Sequence, residues 1–183
     1  MMNNTLIVVS GGPGAGKTTL IEALAASGYA TQPEIARALI EQQLQQEGDA
    51  LPWRNRLAFR DAMLTQEIAR YQQLDGQALC FIDRSVIDVA AYSALVNLPN
   101  SQQLIHACQH YRYNPTAFLL PPWRAIYQQD HARKQDFAEA ERTYLQLQQS
   151  YAEYGYRTIA VPPAPVARRV EFVLSQLNQL TAS

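Results

Sequence analysis

Nine residues near the N-terminus, Gly11-Gly12-Pro13-Gly14-Ala15-Gly16-Lys17-Thr18-Thr19, constrain the fold more than any other part of the chain. Before them runs TLIVVS, residues 5–10, short, β-branched and apolar throughout, as a strand buried on both faces would be. After them, residues 17–26 carry a helical pattern that ends near Gly28. A strand must therefore pass into a helix across a loop of spacing G-x-x-x-x-G-K-T. Glycines accept the left-handed backbone that turns N–H groups toward one point, and the helix adds N-terminal partial charge there. The loop is an anion cradle. Phosphate suits it, because Lys17 brings a full charge to β- and γ-phosphates and the Thr18 hydroxyl offers a ligand for Mg²⁺. All nine residues are nucleotide-binding candidates. The dinucleotide pattern G-x-G-x-x-G fails, since counting from Gly12 its last position is Lys17, so NAD is not expected.

The rest of the chain repeats the alternation. Short apolar runs at 29–32, 78–82, 116–120 and 156–161 predict four more strands, each followed by a helical pattern or a proline stop. Helices are expected beyond Pro33, along a face marked by Trp53, Leu57, Leu64, Ile68 and Tyr71, from Ser85 to Leu95, over 138–154, and after Pro163. Ser85-Val86-Ile87-Asp88 has capping-box spacing. Continuously apolar strands separated by helices call for a parallel sheet covered on both faces. The expected fold is one α/β domain spanning 1–183, a doubly wound five-stranded parallel sheet, with a polar lid-like segment at 122–137.

Composition narrows the partners. Hydrophobic residues make up 48% of the chain, enough for a sizeable core, and the net charge of −1 creates no field that would draw nucleic acid or an anionic membrane. Two cysteines in apolar surroundings and an N-terminal apolar run of about six residues point to a reduced, cytoplasmic protein without a signal peptide or membrane span. His106 and His110 flank Cys108 at helical spacing but lack a third ligand nearby, so zinc is not expected.

Three groups of side chains stand where chemistry would occur. Asp83 closes the third strand and emerges at the carboxyl edge of the sheet, where it can hold Mg²⁺ with Arg84 beside it for a phosphate. Glu34 opens the helix after the second strand, with Arg37 one turn on. A carboxylate there can take the proton of an attacking hydroxyl, or simply form a surface ion pair with Arg37. Beyond the fourth strand, Arg124, Arg133 and Lys134 punctuate the polar segment, as lid charges closing on a transferring phosphoryl group would. Arg54, Arg56 and Arg60 read as surface residues.

These motifs resemble those of small bacterial P-loop proteins usually labelled predicted ATPases or AAA-domain proteins. The shared runs are GGPGAGKTTL, PEIAR, FIDRS, LPPW…IY..D..R and a late Y…GY….VP. PEIAR and DRS also resemble deoxynucleoside kinases and the ribosylnicotinamide kinase group. That resemblance implies a kinase-type P-loop fold, Glu34 as general base, Arg37 and Arg84 as substrate or phosphate contacts, and Arg124, Arg133 and Lys134 as lid charges. Nucleoside kinases commonly carry Glu where this chain has Asp83.

The expected activity is a Mg²⁺- and ATP-dependent transfer of phosphate to a small metabolite, with Lys17, Glu34, Asp83, Arg84 and Arg133 as catalytic candidates and Thr18 and Asp83 as metal ligands. The alternative is a nucleotide-dependent switch that hydrolyses slowly and meets a protein partner. Nothing in the sequence separates ATP from GTP or sets an oligomeric state.

Overall fold

Along β1 (Leu6–Gly11) the side chains alternate between two cores. Leu6 and Val8 point to one and Ile7 and Val9 to the other, as the two-residue period of a strand dictates. The computed structural model describes residues 5–74, 76, 78–127 and 137–181. After the glycine loop come α1 (Lys17–Ala26), β2 (Ala30–Gln32), α2 (Ile35–Gln45), α3 (Arg56–Leu74) and β3 (Cys80–Asp83). Then follow α4 (Val86–Leu95), α5 (Gln102–His110), β4 (Thr116–Leu120), α6 (Arg124–Tyr127), α7 (Phe137–Glu153), β5 (Arg157–Ala160) and α8 (Val166–Thr181).

The five strands form one sheet, all parallel, in the order β2-β3-β1-β4-β5. Helices α1 and α8 seal one face over Ile7, Val9, Phe81 and Phe118. Helices α3, α4, α5 and α7 seal the other over Leu6, Val8, Ile82 and Leu119. The expected doubly wound architecture is therefore present. One part of the expectation needs correcting: β1, β3 and β4 are buried throughout, but β2 and β5 lie at the sheet edges and are partly exposed. Their apolar content is correspondingly lower, because an edge strand has a neighbour on one side only.

A second correction concerns α3. The apolar face read from sequence holds at Leu64, Ile68 and Tyr71, which pack into the core, but fails at its start: Trp53 precedes the helix and is 62% exposed, and Leu57 is 48% exposed. The inward face carries Phe59, Arg60, Met63, Leu64, Glu67, Arg70, Tyr71 and Leu74. Three of these eight are charged, and a pattern that counts only apolar residues cannot see such a face. Arg60, expected on the surface, is buried; it donates to the Pro99 carbonyl at 2.7 Å and pairs with Asp61 at 2.8 Å. It ties α3 to the turn between α4 and α5.

Where β1 meets the loop, Gly11 lies opposite Leu120. A β-carbon at Gly11 would stand 2.9 Å from the Leu120 carbonyl oxygen, a main-chain atom that cannot swing aside. Gly11→Ala is expected to destabilise the fold by about 1–3 kcal/mol through overpacking, read as a lower urea midpoint with unchanged m-value.

Candidate active site

The glycine loop takes the form its sequence requires. Gly14 and Gly16 both hold φ of 75°, and Gly16 serves as the N-cap of α1 without any side-chain cap. The first amides of α1 are thus left without a capping side chain, at the positive end of the helix dipole. This is the geometry an anion would complete. Thr18 and Thr19 are exposed beside it.

Lys17 is 7% exposed and forms a buried ion pair with Asp83; its Nζ also lies 3.8 Å from Glu34 Oε2. The pairing follows from strand register. Asp83 is the last residue of β3 and sits opposite Val9, one strand away from the loop that carries Lys17. Burial lifts the Asp83 carboxyl above its ordinary range, although the Lys17 ammonium opposes the rise.

Glu34 is the N-cap of α2, at the carboxyl edge next to β3. Arg84 Nε donates to Glu34 Oε1 at 2.8 Å, and Arg84 Nη1 lies 3.5 Å from Asp88 Oδ1. Burial pushes the pKa of Glu34 up, but the charges of Arg84, Lys17 and Arg37 outweigh it and hold the carboxyl below its usual value. Glu34 is an ionised acceptor. The surface Glu34–Arg37 pair considered from sequence does not form; Arg37 is exposed on α2 and contributes only its charge.

Arg84 itself is held in the left-handed region, at φ 67°. Its amide donates to the Val9 carbonyl at 3.1 Å, and its carbonyl accepts from Arg70 Nη2 at 2.9 Å. Arg70 also donates to the carbonyls of Pro33 at 2.8 Å and Asp83 at 3.2 Å, and to Glu67 Oε2 at 2.6 Å. One guanidinium on α3 therefore fastens the chain just before Glu34 and on both residues Asp83 and Arg84.

Asp88 is a further anchor. It closes the capping box of α4 on Ser85, as its spacing implied, and also accepts from Ser10 and from Tyr151 Oη at 2.6 Å. A residue read only as a cap thus joins β1, α4 and α7.

Beyond Glu34 opens a cavity of about 480 Å³. It is lined by Pro13 of the glycine loop, Glu34, Arg84 and Ser85 together with Phe59, Met63, Glu67, Val89, Tyr92 and Leu147. Burial, assisted by Asp88 and opposed by Arg70, pushes the Glu67 carboxyl up to about 7. On the far side of the loop, Arg169 of α8 donates to the Gly16 carbonyl at 3.0 Å, and its guanidinium lies 5.8 Å from the Trp123 ring centre.

Of the lid charges, Arg124 is exposed on α6 with its guanidinium 4.0 Å from the Phe137 ring centre. Arg133 and Lys134 lie outside the described residues. Among the described residues no group of three or more metal-binding side chains of the His, Cys, Asp and Glu types occurs, and no helix is long and apolar enough to cross a membrane. Cys80 and Cys108 are buried free thiols, and His106 and His110 stack on one another.

Glu67, Arg70 and Arg169 were not singled out from sequence. Glu67 and Arg70 stand three apart on a long helix, a spacing that surface ion pairs share, so no local signal separates them from one.

The sequence profile of the AAA domain family matches residues 6–169. The chain belongs to that family. No curated protein matches the sequence of this AAA domain. Solved structures do match its fold. Deoxyadenosine kinase from M. mycoides with bound dATP aligns at 15% identity and TM-score 0.57, over 94% of this chain and 99% of the kinase. Thymidylate kinase from Candida albicans aligns at 12% identity and TM-score 0.64, covering 98% of this chain and 93% of that one. NadR in complex with NR aligns at 18% identity and TM-score 0.68, over 96% of this AAA domain but 50% of NadR. The architecture is the P-loop kinase fold.

Because the folded Glu67 binds its proton more tightly than the unfolded chain does, this group's contribution to stability falls as pH rises from 4.5 to about 7. Glu67→Gln removes that slope. Whatever constant offset the substitution adds, the urea midpoint of the variant is expected to gain on that of the unsubstituted protein across this interval and to run parallel above it.

Proposed function

We propose that this protein is a phosphotransferase that moves the γ-phosphate of ATP to a hydroxyl or phosphate group of a small metabolite. The observation that carries the reading is the position of Glu34, whose carboxylate lies between Lys17 and Arg84 on the boundary of the glycine loop and the 480 Å³ cavity. A hydrolase needs no such cavity. A kinase needs a second pocket that places an acceptor beside the phosphates.

The residues divide the work. The loop N–H groups of residues 11–16, Pro13 excepted, and Lys17 bind the triphosphate, with Thr18 and Thr19 at the helix start. Lys17 leaves Asp83 for phosphate oxygens, and Asp83 is then a free carboxylate at the loop. Thr18 and Asp83 are oxygen donors of the kind Mg²⁺ takes, and when bound there the ion would neutralise charge on the β- and γ-phosphates. Glu34 accepts a hydrogen bond from the attacking hydroxyl and receives its proton as the new oxygen–phosphorus bond forms and the bond from the γ-phosphorus to the β–γ bridging oxygen breaks, with ADP as the leaving group. Its lowered pKa suits a transfer in which the proton moves late. Arg84 orients Glu34 and adds positive charge to the transferring group. Arg37 lends charge from the rim, and Arg124, Arg133 and Lys134 of the segment 122–137 supply charge over the phosphoryl oxygens.

The test is a transfer assay with Mg²⁺-ATP and a panel of nucleosides, nucleotides, ribosides and vitamin precursors, reading ADP above the rate without acceptor and product by mass. Glu34→Gln is expected to cut transfer by roughly 10²- to 10⁴-fold while ATP affinity stays within about twofold. A nucleotide switch would bind ATP through Lys17, phosphorylate no member of the panel and ignore the Glu34 substitution. In a separate measurement, Lys17→Ala is expected to weaken ATP binding at least about tenfold, since it removes the one buried cation of the loop.

A further inference from the structure

Among the described residues four cations are buried, and three of them have a carboxylate: Lys17 pairs with Asp83, Arg60 with Asp61 and Arg70 with Glu67. The fourth is Arg169 of α8, which is 3% exposed and has no carboxylate of the described residues within ion-pair distance. The nearby acid of α8, Glu171, is exposed and pairs with Arg168 at 3.0 Å instead. Arg169 Nη1 donates to the Gly16 carbonyl at 3.0 Å, and Nε is buried with no hydrogen-bond partner among the described residues. A carbonyl and the ring of Trp123 occupy part of the guanidinium, but neither balances a charge withdrawn from water. Burial accordingly pulls the pKa of Arg169 below its ordinary value, with no acid beside it to hold it up.

The place of this charge is set by Gly16. A β-carbon there would stand 2.8 Å from Nη1 and 3.3 Å from Nη2, so the bare glycine lets the guanidinium lie against the backbone of the loop. Gly16 is also the N-cap of α1, whose first amides have no side-chain cap. Lys17, the next residue, is already matched by Asp83 and Glu34; Arg169 is matched by neither. An anion seated on the loop is the missing counter-charge. On the phosphotransferase reading, whose nucleotide-binding step this inference rests on, we propose that Arg169 is a second cation for the triphosphate, acting from inside the fold through the Gly16 backbone without touching a phosphate oxygen. It is a positioning residue. Its charge adds to that of the helix N-terminus and draws the phosphates onto the loop, and their arrival offsets the cost of its burial.

A guanidinium that merely ties α8 to the loop makes the opposite prediction for stability, and the experiment turns on that difference. ATP and ADP affinities are measured by calorimetry with Mg²⁺ present for the unsubstituted protein, Arg169→Met and Arg169→Lys, and urea midpoints are measured without nucleotide. Arg169→Met keeps an unbranched stem and removes the charge, and the Gly16 carbonyl still accepts from the Leu20 amide at 3.3 Å. Its urea midpoint is expected to equal or exceed that of the unsubstituted protein, because an unpaired buried charge is gone. Its ATP affinity is expected to fall roughly 10- to 100-fold, and its ADP affinity by less, since ADP carries one negative charge fewer. Arg169→Lys, which keeps the charge, is expected to restore ATP affinity to within about threefold. ATP affinity of Arg169→Met within about twofold of the unsubstituted value, a lowered urea midpoint in that variant, equal losses for ATP and ADP, or no rescue by Arg169→Lys would each overturn the proposal. Its failure is separable from that of the transferase reading. Acceptor phosphorylation together with undiminished ATP binding by Arg169→Met sinks the role of Arg169 and leaves the transferase standing. ATP binding that follows the charge at this position, with no acceptor phosphorylated, does the reverse. An unsubstituted protein that binds no ATP overturns both.

Discussion

Seven ionisable side chains gather, buried or half-buried, where β1, β2 and β3 end: Lys17, Glu34, Glu67, Arg70, Asp83, Arg84 and Asp88. Four are carboxylates and three are cations. A charge removed from water needs a partner and hydrogen bonds, so each of these can be tolerated only if the others are in place. They come from α1, the start of α2, α3, β3, the turn after β3, and α4. Their mutual pairing therefore sets how six pieces of chain meet. Arg84 shows the force of the constraint. Its left-handed backbone costs on the order of 1–3 kcal/mol, and it is fastened by the Val9 carbonyl on one side and the Arg70 guanidinium on the other.

Such a cluster adds little to global stability, since the cost of desolvation offsets most of the Coulomb gain. What it provides is placement. The sheet order puts β1 between β3 and β4; β1 leads to α1 on one face whereas β3 leads to α4 on the other, and a crevice opens there. The glycine loop fills one side of the crevice and the cavity the other. Glu34 stands between them because Arg70 holds the preceding carbonyl and Arg84 holds its carboxylate. Before any phosphate arrives, Lys17 and Asp83 neutralise each other. The site is thus organised in advance and its cation can be exchanged rather than newly buried.

Much of this was legible in the residues and some was not, for reasons that differ by residue. The five strands, the loop and the capping box at Ser85 were readable because each depends on a local rule: period, glycine backbone freedom, or a side chain reaching three residues along. Glu34 and Asp83 were readable by position, since residues that directly follow parallel strands emerge at the carboxyl edge. The buried face of α3 was not readable. Its Arg60, Glu67 and Arg70 look like solvated helix residues, and what buries them is the arrival of the Pro99 turn, the Pro33 carbonyl and the β3–α4 turn from elsewhere in the chain. Arg169 escaped notice for the same cause: its partner is the Gly16 carbonyl, 153 residues away.

The sequence by itself determined the order of strands and helices and the form of the phosphate cradle, together with the two carboxylates flanking it, because backbone geometry and side-chain period act between near neighbours. Only the tertiary structure decided which charges face one another. It turned a possible Glu34–Arg37 pair into Glu34–Arg84, made Asp88 a junction of three elements, and set Glu67 in the wall of a cavity. Electrostatic pairing in a medium of low polarity acts through space and is strongest between groups that folding alone brings together. No reading along the chain could rank those pairs before the layers closed.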